Sequence, residues 1–296
     1  MNAFTHEPGI ISVDDLTEGI ERYTTVSGYR LDMIVPADSP VAALLSRHGE
    51  TIRLESSNVA ARLDTSKDGW ATGRAGMMYR DLIPGRLGGK LIASHIRLTV
   101  GGEVPDYVHY HKVQFQMIYC VRGAIKVVYE GQGEPFWLMP GDCVLQPPEI
   151  RHRVLWAEEG SEVVELGMPA AHETWVEHDV KLPTADLAPD REYSGQRFVR
   201  HIAADHAGDI IRDTGISAAT RGFADVQVIT LEVGEPFYPF DVLPGRETVF
   251  GFVTLGEIRV DTGSRRITEG AAFIDTAGSE TAYVSTERSE LVVAGF

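Results

Sequence analysis

The stretch Gly102-Glu103-Val104-Pro105-Asp106-Tyr107-Val108-His109-Tyr110-His111 is followed by Gln116 and Gly123, then by Pro140-Gly141-Asp142, Pro147-Pro148 and His152. His109 and His111 stand two residues apart. Side chains alternate between the faces of a strand, so both imidazoles point the same way. A third histidine, His152, lies beyond the Pro-Gly-Asp turn. Neutral imidazole is the commonest metal ligand, and the interior of a small β-barrel is a place where rings from separate strands converge. The stretch therefore reads as a metal pocket inside such a barrel. Three imidazoles with open positions suit Zn, Fe, Ni, Cu or Mn without choosing among them. Three ordinary barrel-lining polar residues are the alternative.

Working outward, the chain is β-rich on both sides of this stretch. Lys90 to Val100 alternates, with Ile92, Ile96 and Leu98 on one face and His95, Arg97 and Thr99 on the other. Short apolar segments punctuated by Gly and Pro follow from Tyr107 to Leu166, with the spacing of an all-β sandwich or barrel. A second such series runs from Val226 to Ala294. Val121-Arg122-Gly123-Ala124-Ile125-Lys126-Val127 matches Thr254-Leu255-Gly256-Glu257-Ile258-Arg259-Val260, and Pro140-Gly141-Asp142 matches Glu269-Gly270-Ala271. The order of segments thus points to two copies of one barrel. Before them, Ser12 is a candidate cap for a helical turn at Val13–Leu16. Pro40 stands where a helix over Val41–Arg47 can begin. Glu50–Leu63 reads as one or two strands and Thr65–Gly69 as a loop. The expected organisation is an N-terminal extension containing a short helix (1–75), a metal-binding barrel (76–168), a Pro-rich connector (169–218) and a barrel without metal (219–296).

Gly102, His109, His111, Gln116 and Gly123, followed by Gly141, Pro147 and His152, resemble the two sequence motifs of the cupin superfamily. The chain as a whole resembles a bicupin. The resemblance implies an all-β fold of two double-stranded β-helix (jelly-roll) barrels and one divalent transition metal, Fe foremost, with Zn, Ni or Mn as alternatives. It implies His109, His111, Gln116 and His152 as the ligand set. The family usually places Glu where this chain has Gln116. A neutral ligand leaves the metal its full charge, which makes it a stronger Lewis acid; the alternative is that Gln116 does not ligate and only hydrogen-bonds a bound water or substrate. Gln114 is the alternative occupant if the strand slips by register. By parity, Tyr107, Ile118, Val154 and Trp156 are candidate pocket residues, giving an apolar and aromatic lining of the kind small-molecule sites have. The second barrel has Val242, Pro244, Val249 and Thr281 at the matched positions, so it is expected to be structural.

The function this implies is a metal-dependent enzyme, in the first place a non-heme iron dioxygenase acting on a small hydrophobic, aromatic or diketone-like substrate. A non-redox lyase, isomerase or cyclase using Zn, Ni or Mn is the second reading, and a metal-bearing binding protein the third. Glu103, Asp106 and Glu149 read as loop residues, so the inner face offers few general bases, which leans toward the oxygenase. A net charge of -16 disfavours nucleic-acid binding. No apolar run has the length of a membrane span. The two cysteines, Cys120 and Cys143, fall in apparent strands and read as buried free thiols. A cytoplasmic homodimer is expected. Arg80, Asp81 and Arg86 read as surface residues before the barrel, and His172 and His178 as exposed residues flanking the connector.

Overall fold

The computed structural model describes residues 8–57 and 69–296. Residues 58–63 of the expected strand and 65–68 of the expected loop lie outside the described residues. The chain opens with strand Gly9–Val13 (β1) and helix Leu16–Thr25 (α1). Asp15, not Ser12, starts the helix. Its extended backbone and its carboxylate, accepting from Thr17 N at 2.7 Å and Glu18 N at 3.1 Å, satisfy two of the free donors of the first turn. Strands Arg30–Val35 (β2), Ala42–Arg47 (β3) and Glu50–Ser56 (β4) follow as an antiparallel meander, with β1 parallel to β4. The helix expected at Val41–Arg47 is thus a strand. Ala42–Leu45 are all buried between β2 and β4, and pairing on both sides outweighs the helix propensity of Ala and Leu.

The metal-binding barrel uses Trp70–Thr72 (β5), Met78–Asp81 (β6), Ile92–Leu98 (β7), Gly102–Glu103 (β8), His109–His111 (β9) and Phe115–Arg122 (β10). Ile125–Tyr129 (β11), Phe136–Leu138 (β12), Cys143–Leu145 (β13), His152–Ala157 (β14) and Ser161–Met168 (β15) complete it. The segment read as a connector adds Thr174–Val176 (β16), a hairpin of Glu192–Tyr193 (β17) and Gln196–Arg197 (β18), and Val199–His201 (β19). One sheet runs β1-β4-β3-β2-β16-β9-β14-β11-β12, with β8 also on β14. The other runs β19-β13-β10-β15-β7-β6-β5. Both the N-terminal strands and the connector are therefore built into the barrel's sheets.

Alternation along β10 divides two cores. Cys120 and Ile118 face the barrel interior with Ile125, Val127, Leu138 and Val163. Phe115, Met117 and Tyr119 face outward and are buried against the second barrel's Val226, Phe250, Phe252 and Val292. That barrel comprises Ile211–Asp213 (β20), Asp225–Leu231 (β21), Pro236–Phe237 (β22), Thr248–Leu255 (β23), Glu257–Val260 (β24), Arg266–Thr268 (β25), Ala272–Thr276 (β26), Tyr283–Ser285 (β27) and Ser289–Gly295 (β28). Its sheets run β20-β21-β28-β23-β26 and β22-β27-β24-β25. The repeat read from sequence sits at matching corners. Gly123 and Gly256 have φ of 68° and 80°, and an added Cβ would stand 2.4 Å from Ser161 Oγ and 2.7 Å from Ser289 Oγ. Only glycine turns these corners.

A polar seam crosses between the barrels. Arg80, read as a surface residue, donates to the Gly270 carbonyl at 2.6 Å and to His95 Nδ1 at 2.9 Å. His95 Nε2 then donates to Glu162 at 2.7 Å, and its ring meets Phe252 edge-on at 5.4 Å. Burial pushes the His95 imidazole down to about 4, against the pull of Glu162. An unfolded histidine titrates near 6.5. Between these values the unfolded chain binds a proton that the folded chain does not, so stability falls as pH falls from about 6.5 to about 4. His95→Gln removes this contribution. Urea unfolding across that pH window should give a shallower acid dependence for the variant than for the wild type.

Candidate metal centre

His109 and His152 form a cross-strand pair between β9 and β14, and His111 lies two residues further on the same face. All three are buried. Their ligand nitrogens lie within 4.8 Å of one another, and among the described residues this is the one cluster of three His, Cys, Asp or Glu close enough to share a metal ion. Each ring is held by its other nitrogen. His109 Nδ1 donates to the Tyr107 carbonyl at 2.8 Å, and His152 Nδ1 to the Ile150 carbonyl at 2.9 Å. His111 Nδ1 lies 2.9 Å from Thr174 Oγ1 on β16. With the proton on Nδ1, every Nε2 presents a lone pair, which is how ligand histidines are oriented. His109 Nε2 is buried and has no protein partner. Burial drives His109 and His111 well below the ordinary imidazole range and His152 down to about 4. All three are neutral near pH 7, the form that binds metal.

Asp106 anchors this arrangement. It does lie in a loop, as expected, but its side chain is fully enclosed. It accepts from the Tyr107 and Val154 backbone N–H groups, each at 2.9 Å, and pairs with Arg74. Burial raises its pKa, but Arg74, His109 and the Val154 N–H outweigh that and hold it below the usual carboxylate range. Arg74 escaped the sequence reading because it lies well before the motif, in a short turn between β5 and β6.

The pocket in front of the three imidazoles encloses about 50 Å³. By the same measure a water needs roughly 10–15 Å³, so the free space suits a ligand of a few heavy atoms. Ile118 and Val154 line it, together with Ile96, Val127 and Tyr129. Tyr107 lines a different, outer cavity of about 760 Å³ between α1 and the Ala71–Gly76 segment. Strand parity fails for Tyr107 because β9 begins only at His109. Trp156 points to solvent, 46 % exposed. A bulge shifts the pairing so that Lys126 faces Trp156 while Val127 faces Val154, and this reverses the parity that would have put Trp156 inside.

Gln116 is buried on the inward face of β10, and its Nε2 has no hydrogen-bond partner. Gln114 is exposed, so the register that would have exchanged the two is not adopted. Beside the Gln116 carboxamide lies Glu165, a pocket-lining carboxylate that the sequence reading passed over. Burial pushes its pKa up, with the charges of His172 and Arg74 opposing. The available signal was parity with Val163 on β15. His172 is buried, not exposed. Its Nδ1 donates to the Pro169 carbonyl at 2.8 Å, and its ring meets that of His111 at 5.4 Å. In the second barrel, Phe237 and Tyr283 pair where His109 and His152 pair in the first, a placement differing from the sequence match to Val242 and Thr281. Phe273 packs at a tilt against Tyr283, ring centroids 4.4 Å apart, and fills the space. Cys120 and Cys143 are buried and free, and burial raises both thiols, Cys120 to about 12. Thr174→Val leaves the fold intact but frees the His111 ring. Metal affinity, measured by competition with a chelator, should fall about 10-fold or more.

The "Cupin domain" family matches residues 94–166. No curated protein sequence matches the chain. Among solved structures, a single-residue variant of oxalate decarboxylase from Bacillus subtilis aligns with a TM-score of 0.51 at 14% identity, over 74% of this chain and 72% of that one. The same enzyme at pH 4.6 gives 0.50 at 15%, over 74% and 71%. A variant of salicylate 1,2-dioxygenase from Pseudoaminobacter salicylatoxidans gives 0.49 at 12%, over 70% of each chain. The domain match and the structure agree: the N-terminal barrel is a cupin domain that carries the three-histidine group, and the second barrel repeats its topology.

Proposed function

We propose that this protein is a metal-dependent enzyme acting on a small molecule held in the closed pocket of the first barrel. The observation that carries the reading is the convergence of three buried imidazoles, each fixed through Nδ1, on one side of an apolar chamber. His109, His111 and His152 would hold a divalent transition metal, which as a Lewis acid or redox centre would polarise or activate a bound oxygen ligand. The three ligands are neutral imidazoles, so none of them offsets the metal's charge. Apolar walls exclude water and strengthen electrostatic interactions inside the pocket.

Within this reading, Fe(II) dioxygenase chemistry on a small diketone-like or otherwise hydrophobic substrate is the first assignment. Neutral imidazoles with open positions support it, and the small chamber favours the diketone end of that range over an aromatic ring. A non-redox lyase or isomerase is the second, supported by Glu165, which supplies the inner carboxylate that proton transfer needs. No helix among the described residues is long and apolar enough to cross a membrane. The buried free thiols suit a reducing cytoplasm. Exposed Trp137 and Trp156, both facing Lys126 across β11, support a homodimer contact.

Elemental analysis of the purified protein separates the two assignments. Iron with oxygen uptake in the presence of small diketones supports the first, and zinc, nickel or manganese without oxygen uptake supports the second. His109→Ala and His152→Ala should each reduce bound metal to near zero while leaving the far-UV circular dichroism unchanged. Unaltered metal content in both variants would overturn the site.

A further inference from the structure

One pocket-lining carboxylate has a place that metal binding does not use. Glu165 is paired across the sheet with Ile118, and both side chains line the chamber, whereas Val164 and Leu166 on either side of Glu165 turn to the inter-barrel core. It stands outside the cluster of three histidines. Two cations also line the chamber: Arg74, already held by Asp106, and Arg153, whose guanidinium lies 3.9 Å from the Glu103 carboxylate. Apart from these arginines and the three imidazoles, the polar groups of the wall are the carboxamides of Gln116, beside Glu165, and Gln146, and the aromatic hydroxyls of Tyr79 and Tyr129. Glu165 thus offers acceptor oxygens to whatever fills the chamber, in a space too small for the ligand to turn away from it.

We propose that Glu165 selects the substrate, requiring a small, at most singly charged metal-binding molecule that presents a hydroxyl, enol or N–H donor to this side of the pocket. The inference rests on the metal-dependent reading of the site and adds the class of molecule it takes. The physical reason is an asymmetry. A ligand with a donor here completes a charge-assisted hydrogen bond in a dry site. A ligand with only ether or carbonyl oxygens sets acceptor against acceptor and leaves a buried polar group unpaired. A dicarboxylate adds like-charge repulsion in a medium that screens it poorly. Sites built around a hydrogen bond discriminate strongly against analogues lacking the partner group. The chamber is thereby specified for hydroxy acids, enols of diketones or hydroxamates, and against dicarboxylates.

The test uses the full-length protein loaded with Co²⁺, whose visible absorption reports ligands entering the metal's coordination. Glycolate, methoxyacetate and oxalate are titrated separately into the wild type, Glu165→Gln and Glu165→Ala. The expected result is that the wild type binds glycolate at least about 10-fold more tightly than methoxyacetate or oxalate. Both variants should retain stoichiometric Co²⁺, and the preference over oxalate should shrink to within about threefold. Equal Co²⁺ uptake with an unchanged order of affinities in wild type and variants overturns the role of Glu165 alone. Failure of the wild type to take up Co²⁺ overturns the metal-dependent reading and this inference with it.

Discussion

The enclosed carboxylate of Asp106 is the constraint on which the site depends. It ties together three pieces of chain: the Arg74 turn, the loop entering β9, and the middle of β14. A buried charge of this kind is tolerable only because every neighbour compensates it. Once it is satisfied, the Tyr107 carbonyl is placed to receive His109 Nδ1, and the two histidine-bearing strands are held in register. The remaining imidazoles are then fixed by the Ile150 carbonyl and by Thr174. The ligands are therefore oriented by backbone and buried groups before a metal arrives, so little ordering remains to oppose binding.

The two barrels put one topology to different uses. In the first, imidazoles and a small chamber occupy the centre. In the second, Phe237, Phe273 and Tyr283 close it, and Gly251 gives room for the Phe273 ring to lie across β23. The outer faces of β10 and β15 meet the second barrel's β21, β23 and β28 in one continuous apolar layer. The filled barrel thus acts as a solid backing for the wall that carries Gln116 and Glu165.

What the sequence disclosed followed from the range of each physical signal. The spacing of His109, His111 and His152 and the glycine corners at Gly123 and Gly256 are local, and they were legible. Alternation placed Ile118 and Val154 on the lining face. It misplaced Trp156, because a bulge is invisible to a period of two. Ala42–Leu45 has the composition of a helix and becomes a strand only through its neighbours on both sides. Arg74, Glu165 and His172 were not singled out as site residues because their positions near the imidazoles are created by distant pairings. The scarcity of inner carboxylates inferred from the motif alone does not hold once β15 is included.

Strand β16 carries a consequence beyond the chemistry. It lies past residue 166, where the cupin-domain match ends, yet it hydrogen-bonds to both β9 and β2 and supplies Thr174 to His111. The working unit is consequently larger than the recognisable module. Transplanting residues 94–166 alone into another scaffold would carry all three imidazoles but leave behind the hydroxyl that orients one of them. It would also expose an unpaired edge of β9 at the rim of the pocket. Modularity in this molecule is a property of sequence similarity and not of the architecture that orients the imidazoles.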